Sequence, residues 1–312
     1  MKAQAISISK GVAEIIESDI PEPRRSEVLV ETKACGICMG DVYAFQGKLP
    51  GGRVMGHEGV GIVAKTGEDI RNVKPGERVT TLGGPAFAQF YRTDCRNIAR
   101  IPDDVEDLAL WISEPAACAV NGIKRSAIQI GDKVCIIGCG YMGLLLLQSI
   151  PKAIVDCLVA VDLLNERLDL AMKFGADHAV NPREVKAVEE VRRILGGEAD
   201  IVIEASGAPG ALYLATDLLK PSGKLVIFGR HVVDETVPTE KWHVKGLTIL
   251  NTSPASSPDF NKDFHDAVKL LEKRVFDQNL LMTHRFPYRD AMAAFRVASD
   301  KPADYIKGVI TF

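Results

Sequence analysis

Apolar and polar positions alternate in short runs, broken by Gly and Pro, over the N-terminal third of the chain. Val28-Leu29-Val30-Glu31-Thr32-Lys33 follows the turn-rich Pro21-Glu22-Pro23; residues 59–65 form another run, and 73–79 turn through Pro75-Gly76 into a third. A period of two with frequent turn residues predicts a compact β barrel or sandwich. From Lys133 onward the period changes. Short β-rich runs at 133–138, 157–162, 178–180, 200–204, 224–228 and 247–250 alternate with helical stretches. That alternation predicts βαβ units and a doubly wound parallel sheet. The P-A-S-S-P segment at 254–258 reads as a loop, 260–275 has helical periodicity, and 305–310 ends the chain as a strand. The expected class is α/β, with a β-rich domain ahead of a Rossmann-type one.

At 312 residues the chain has room for two domains. Its 46% hydrophobic and 25% charged content excludes disordered and fibrous classes. A net charge of −3 supplies no electrostatic reason for nucleic acid or an anionic membrane as partner. The apolar stretch at 142–147 is too short to cross a bilayer, and Met1-Lys2-Ala3-Gln4 leads into a strand pattern rather than a signal region. A cytoplasmic protein is expected. Seven cysteines, an odd number, argue against a disulfide framework. Cys135, Cys139 and Cys157 lie in or beside apolar runs and read as small buried hydrophobes.

Two groups of residues carry chemistry. Gly138-Cys139-Gly140-Tyr141-Met142-Gly143 directly follows the apolar run 134–137 and opens an apolar helix at 144–148. Glycines so placed permit a tight turn, close approach of backbone N–H to a pyrophosphate, and tight helix–strand packing. Asp162 falls nineteen residues after Gly143, at the end of the second β run. A carboxylate there accepts hydrogen bonds from the adenosine ribose hydroxyls and repels a 2′-phosphate, which favours NAD over NADP. Arg167 lies either against the adenine or exposed on a helix.

Upstream, Cys38 in C-G-I-C-M-G-D is followed nineteen residues later by His57-Glu58. Thiolate, imidazole and carboxylate are the ligand types of Zn²⁺ in an open catalytic site, where the metal polarises an alcohol or carbonyl oxygen. Metal and nicotinamide together predict hydride transfer at a C–O centre. Cys35 and Cys38 also form a C-x-x-C, but a structural zinc needs a second cysteine pair and residues 79–94 contain none. One zinc per chain and a core position for Cys35 are expected.

Taken in order, Cys38-x-x-Asp41, Gly56-His57-Glu58, Glu114-Pro115, the glycine turn with Asp162, Glu204-Ala205-Ser206-Gly207 and the ending Thr283-His284-Arg285-Phe286-Pro287 resemble the zinc-dependent medium-chain alcohol dehydrogenases. Glu114-Pro115 in place of a cysteine resembles their sorbitol (polyol) and threonine dehydrogenase branch. The resemblance runs over essentially the whole chain, without the four-cysteine lobe that many relatives carry. It implies a GroES-like catalytic domain over 1–119, a Rossmann NAD-binding domain over 120–255, and a return to the catalytic domain over 256–312. Cys38 and His57 are implied as zinc ligands, Glu58 as a ligand in some states, and Glu114 as a ligand or a water-mediated partner. Asp41 is implied to orient His57 through its other ring nitrogen. Cofactor contacts are implied for Gly138, Gly140, Tyr141, Met142, Gly143, Asp162 and Ser206. The implied reaction is the NAD-dependent interconversion of a secondary alcohol, in a polyol, sugar or cyclitol, and its ketone. A homodimer or homotetramer is implied, with the strand after Lys245-Gly246 pairing with its copy.

One position departs from the family. Relatives commonly place a hydroxyl residue two positions after the ligand cysteine, where this chain has Gly40. Tyr43, three residues on, either passes the substrate proton or lines the pocket. Two other readings are weighed. A zinc-free quinone or enone reductase on the same fold has no use for Cys38, His57 and Glu58 together. For a non-catalytic NAD-binding regulator, Gly40 alone speaks.

Overall fold

Alternation at the N-terminus builds β1 (Lys2–Ser9) and β2 (Val12–Asp19), which pair antiparallel along their length across the Lys10-Gly11 turn. The computed structural model describes residues 2–312. The chain continues through β3 (Glu27–Gly36), α1 (Met39–Phe45), β4 (Arg53–Val54), β5 (Gly59–Thr66), β6 (Arg78–Thr81), β7 (Phe90–Asp94), β8 (Ile98–Arg100) and α2 (Glu114–Ser126). Strand and helix then alternate: β9 (Lys133–Ile137), α3 (Tyr141–Ser149), β10 (Cys157–Val161), α4 (Asn165–Lys173), β11 (His178–Val180), α5 (Ala187–Leu195), β12 (Ala199–Glu204), α6 (Ala211–Leu218), β13 (Leu219–Ile227), α7 (Thr239–Lys245) and β14 (Thr248–Asn251). α8 (Phe260–Glu272), β15 (His284–Pro287), α9 (Ala291–Asp300) and β16 (Gly308–Thr311) complete it.

These elements form two compact units, one from residues up to Ala117 together with Phe264–Phe312, the other Cys118–Asp263. In the first, a sheet runs β15-β16-β3-β5-β6-β8, with β7 also paired to β3, beside a smaller sheet β2-β1-β4. β16 lies antiparallel to β3, with Ile310 opposite Cys35. The two ends of the chain therefore share one sheet and one core. Phe295 of α9, fully buried, stands 5.7 Å from Phe45 and 5.7 Å from Phe87 between ring centroids.

The second unit is a parallel sheet in the order β11-β10-β9-β12-β13-β14. Its order reverses at β9, and ligands of such sheets bind outside the carboxyl ends of the strands at that switch point. Leu144 to Leu147 of α3 are all buried, so this helix is apolar on every side and packs as core. β14 is an edge strand.

Two strands start several residues away from where the sequence reading put them. β13 starts at Leu219 rather than 224, because Pro221-Ser222-Gly223 is taken up as an irregularity opposite Ala199–Ile201. The last strand starts at Gly308 rather than 305. Tyr305 closes a turn instead, its N–H donating to Pro302 and its hydroxyl accepting from Gly308 N–H at 3.0 Å. Cys35, Cys135 and Cys139 are buried, Cys157 is only half-buried, and none of the seven cysteines is in a disulfide.

Phe295→Ala tests the shared core. Emptying that site should destabilise the unit by about 3–5 kcal/mol, read as a lower urea midpoint; a loss under about 1 kcal/mol would contradict the packing described.

Candidate metal and cofactor sites

Cys38 is the N-cap of α1. Its sulfur accepts from Gly40 N–H at 3.5 Å, while Asp41 Oδ2 accepts from the Cys38 N–H at 3.0 Å. This reciprocal cap fixes the thiol at the mouth of a short helix. His57 and Glu58 arrive on the loop before β5, held by Gly36 N–H to Glu58 O and Gly83 N–H to His57 O, at 3.0 and 3.1 Å. Gly56 in that loop has φ +85°, and a Cβ there would come within 2.7 Å of Phe87 N. One donor atom each from Cys38, His57 and Glu58 lies within 4.8 Å of the others. Soft thiolate, imidazole and hard carboxylate at that spacing fit a Zn²⁺ ion.

The surroundings fit the same ion. Glu114, nearly buried, opens α2, and its charge reaches His57. Burial draws the His57 proton off, but hydrogen bonding to Cys38, the Cys38 charge, Glu114 and Asp41 outweigh it and raise the pKa to about 11. Burial raises the Cys38 thiol, against the pull of His57. Burial likewise raises Asp41 to about 6. Such a cluster retains protons that a divalent cation displaces on binding. Asp41 Oδ1 is buried without a hydrogen-bond partner and stands 4.0 Å from His57 Nδ1, outside hydrogen-bond range. Tyr43 sits half-buried on α1, with Lys48 Nζ 5.6 Å from its ring centroid. Cys35 is fully buried, and desolvation pushes its thiol well up, as suits a core residue.

In the second unit, the β9–α3 turn has the shape a dinucleotide needs. Gly138 has φ +96°, and a Cβ on Gly143 would collide with Gly138 O. Gly140 is the N-cap of α3, no side chain caps it, and the space around its Cα is open. Backbone N–H groups at this helix end can thus meet a pyrophosphate. Asp162 follows β10 and accepts from Cys139 N–H at 2.7 Å and Leu164 N–H at 3.0 Å, which ties the carboxylate to the turn. A carboxylate has acceptor capacity beyond those two bonds, so it can also take ribose hydroxyls. Arg167 lies close enough for its charge to lower the Cys139 thiol pKa, against the larger upward push of burial. Ser206 belongs to the neighbouring turn, and a Cβ on Gly138 would stand 2.7 Å from its nitrogen.

Residues 24–103 match the alcohol dehydrogenase GroES-like domain, and 142–273 match the zinc-binding dehydrogenase domain. The chain belongs to the zinc-type medium-chain alcohol dehydrogenases. Among its relatives, D-xylulose reductase of Saccharomyces cerevisiae is 28% identical, over 91% of this chain and 90% of its own length. Sorbitol dehydrogenase of Ovis aries is 26% identical, over 89% and 88%. An Escherichia coli alcohol dehydrogenase solved with NADH superposes with a TM-score of 0.87 at 26% identity, covering 100% of this chain and 99% of that one. An Escherichia coli oxidoreductase of unknown specificity superposes at 0.89 with 25% identity, covering 100% and 99%.

The dehydrogenase carries two residues near the Cys38, His57 and Glu58 group that the sequence reading did not single out. Lys307 Nζ lies 2.5 Å from Glu58 Oε2 and donates to Ile37 O at 3.0 Å, with both charged side chains nearly sealed from solvent. A carboxylate has two oxygens, so this ion pair leaves Glu58 able to face a metal as well. Burial lifts the Tyr305 phenol to about 12; Lys307 opposes that, and Glu58 and Cys38 add to it, which puts the ring beside the cluster. The signal was present as a lysine inside the apolar run Ile306-Lys307-Gly308-Val309-Ile310. A charge in such a run has to meet a partner.

Lys307→Met should cost about 3–5 kcal/mol, because Glu58 is left buried and unpaired. Adding Glu58→Gln should recover much of it. Denaturation midpoints of the two single variants and the double variant check this; simple additivity would show that the pair does not interact.

Proposed function

We propose that this dehydrogenase interconverts a secondary alcohol, in a polyol or sugar, with its ketone, using one catalytic zinc and NAD. The observation that carries the reading is the convergence of Cys38, His57 and Glu58 within 4.8 Å, in a chain whose second unit places Asp162, just after β10, beside the glycine turn. Cys38, His57 and Glu58 would hold the ion, with Glu114 reaching it directly or through water. Bound there, zinc polarises the C–O bond whose carbon exchanges hydride with the nicotinamide. Asp41 braces the Cys38 loop through its cap. Lys307 offsets the charge of Glu58 and keeps its carboxylate in place. Gly138, Gly140, Tyr141, Met142 and Gly143 shape the pyrophosphate turn. Asp162 takes the ribose hydroxyls, Arg167 lies along the adenine side, and Ser206 backs the turn. Gly40 supplies no hydroxyl beside Cys38, so the substrate proton leaves through the Tyr43 phenol or through water held by Glu58 and Glu114.

The polyol or sugar class is supported by the printed activities of the relatives, D-xylulose reductase and sorbitol dehydrogenase. Among the described residues no helix is long and apolar enough to cross a membrane. Seven cysteines outside any disulfide suit a reducing, cytoplasmic setting. The edge position of β14, with Ile249 and Leu250 partly exposed, supports pairing with a second copy in a homodimer or homotetramer.

Purified protein should contain one zinc per chain and form NADH from some member of a panel of polyols and secondary alcohols. Cys38→Ser and His57→Ala should each lose the metal and the activity while the circular dichroism spectrum stays that of a folded protein. Activity surviving complete removal of zinc would exclude the mechanism.

Cofactor choice is separable. NAD should bind about tenfold or more tightly than NADP, since a 2′-phosphate set against Asp162 is repelled, and Asp162→Ser should narrow the gap. Equal binding of the two by the unaltered chain would show that Asp162 does not face the ribose.

A further inference from the structure

Beyond β13 the chain runs through a loop, 228–238, before α7 begins. Among the described residues, no main-chain group from Arg230 to Thr236 takes part in a backbone–backbone hydrogen bond. Side chains make the attachment instead. His231 Nε2 stands 3.0 Å from Glu204 Oε2, and its Nδ1 meets Glu235 Oε1. Glu235 Oε2 in turn accepts from the N–H of Gly210, the N-cap of α6, at 3.3 Å.

Glu204 is the last residue of β12 and has no exposed surface. Its Oε1 accepts from Ser206 N–H, the Ser206 hydroxyl and Gly207 N–H at 2.7, 2.5 and 2.9 Å, which leaves Oε2 for His231. An imidazole carries a polar nitrogen on each side of its ring and so reaches both carboxylates at once, which no side chain with a single polar atom can do.

What this clasp presses on is the cofactor turn. A Cβ on Gly229 would collide with Gly207 N, and one on Gly207 would stand 2.7 Å from Arg230 O. A Cβ on Gly138 would stand 2.7 Å from Ser206 N. Three backbone layers, 229–230, 206–207 and 138, are thus in direct contact at the carboxyl end of the sheet, where doubly wound folds take their ligands.

We propose that His231 is a positioning residue for the dinucleotide, acting from between Glu204 and Glu235. It holds the 229–238 loop against the Ser206-Gly207 turn and so keeps the Gly138 turn ready for the cofactor. The proposal rests on the reading of the chain as a nicotinamide-dependent dehydrogenase. A loop released from the clasp has to be ordered when cofactor binds, and that cost is subtracted from affinity.

The test uses the full-length zinc-loaded chain, with NADH as the probe. Fluorescence titration and amide hydrogen exchange without cofactor are compared for the unaltered protein, His231→Ala, Glu235→Ala and Glu235→Gln. Both alanine variants should exchange faster over 230–237, bind NADH about tenfold more weakly, and raise the KM for NAD more than they lower kcat. Glu235→Gln keeps an oxygen for the His231 Nδ1–H and should recover most of the affinity. Unchanged NADH affinity in both alanine variants overturns the proposal, as does weakened binding without faster exchange in the loop. A failure of the unaltered chain to bind NADH or NADPH would instead overturn the dehydrogenase reading, and this proposal with it.

Discussion

Charge placed inside a protein has to be compensated where it sits, and the cluster around Cys38, His57 and Glu58 is organised around that demand. Cys38, Asp41, His57, Glu58 and Glu114 bring a thiol, an imidazole and three carboxyl groups into one small, largely desolvated region. An isolated buried carboxylate costs several kcal/mol. Here Lys307 pairs with Glu58, the Cys38 N–H satisfies one oxygen of Asp41, and the remaining negative character is what a divalent cation neutralises. Lys307 immediately precedes the last strand. The same segment pairs β16 with β3, so the first unit is built from both ends of the sequence.

The second unit meets a different constraint, the close approach of backbone to backbone. The Gly138 turn, the Ser206-Gly207 turn and the Gly229-Arg230 segment are stacked so tightly that side chains at the glycine positions have no room. Charged side chains enter at the margins. Asp162 ties the first layer through Cys139 N–H, and Glu204 ties the second through three donors while reaching the third through His231. The glycine turn is thus the front layer of a stack whose rear layer is held by the Gly229 N–H on Glu204 O and, beyond it, by side chains.

Reading the chain as a string of residues went far where the signal was local. Alternation placed β3, β5 and the parallel strands, and β11 came out with the bounds read from the sequence. The glycine turn and Asp162 announced themselves by spacing. The reading fell short where a segment answers to a remote partner. Pro221-Ser222-Gly223 has turn composition but joins β13, because the sheet register there tolerates an irregularity. Tyr305 to Lys307 have strand composition but stay outside the strand, where the Tyr305 hydroxyl caps Gly308 N–H and Lys307 meets a buried carboxylate.

The sequence by itself determined the α/β class, the order of the elements, the glycine turn, and which thiol, imidazole and carboxylate were suited to a metal. Those follow from periodicity and from spacing within one or two neighbouring elements. Tertiary structure alone decided that Lys307 pairs with Glu58, that Tyr305 stands beside the cluster, and that His231 spans Glu204 and Glu235. In the first two cases the partners lie more than two hundred residues apart, and in the third the decisive distance is between a strand end and a loop without regular structure. Local propensity holds no information about which remote buried charge a side chain will meet; only the folded path, with its requirement that buried charge be paired, supplies it.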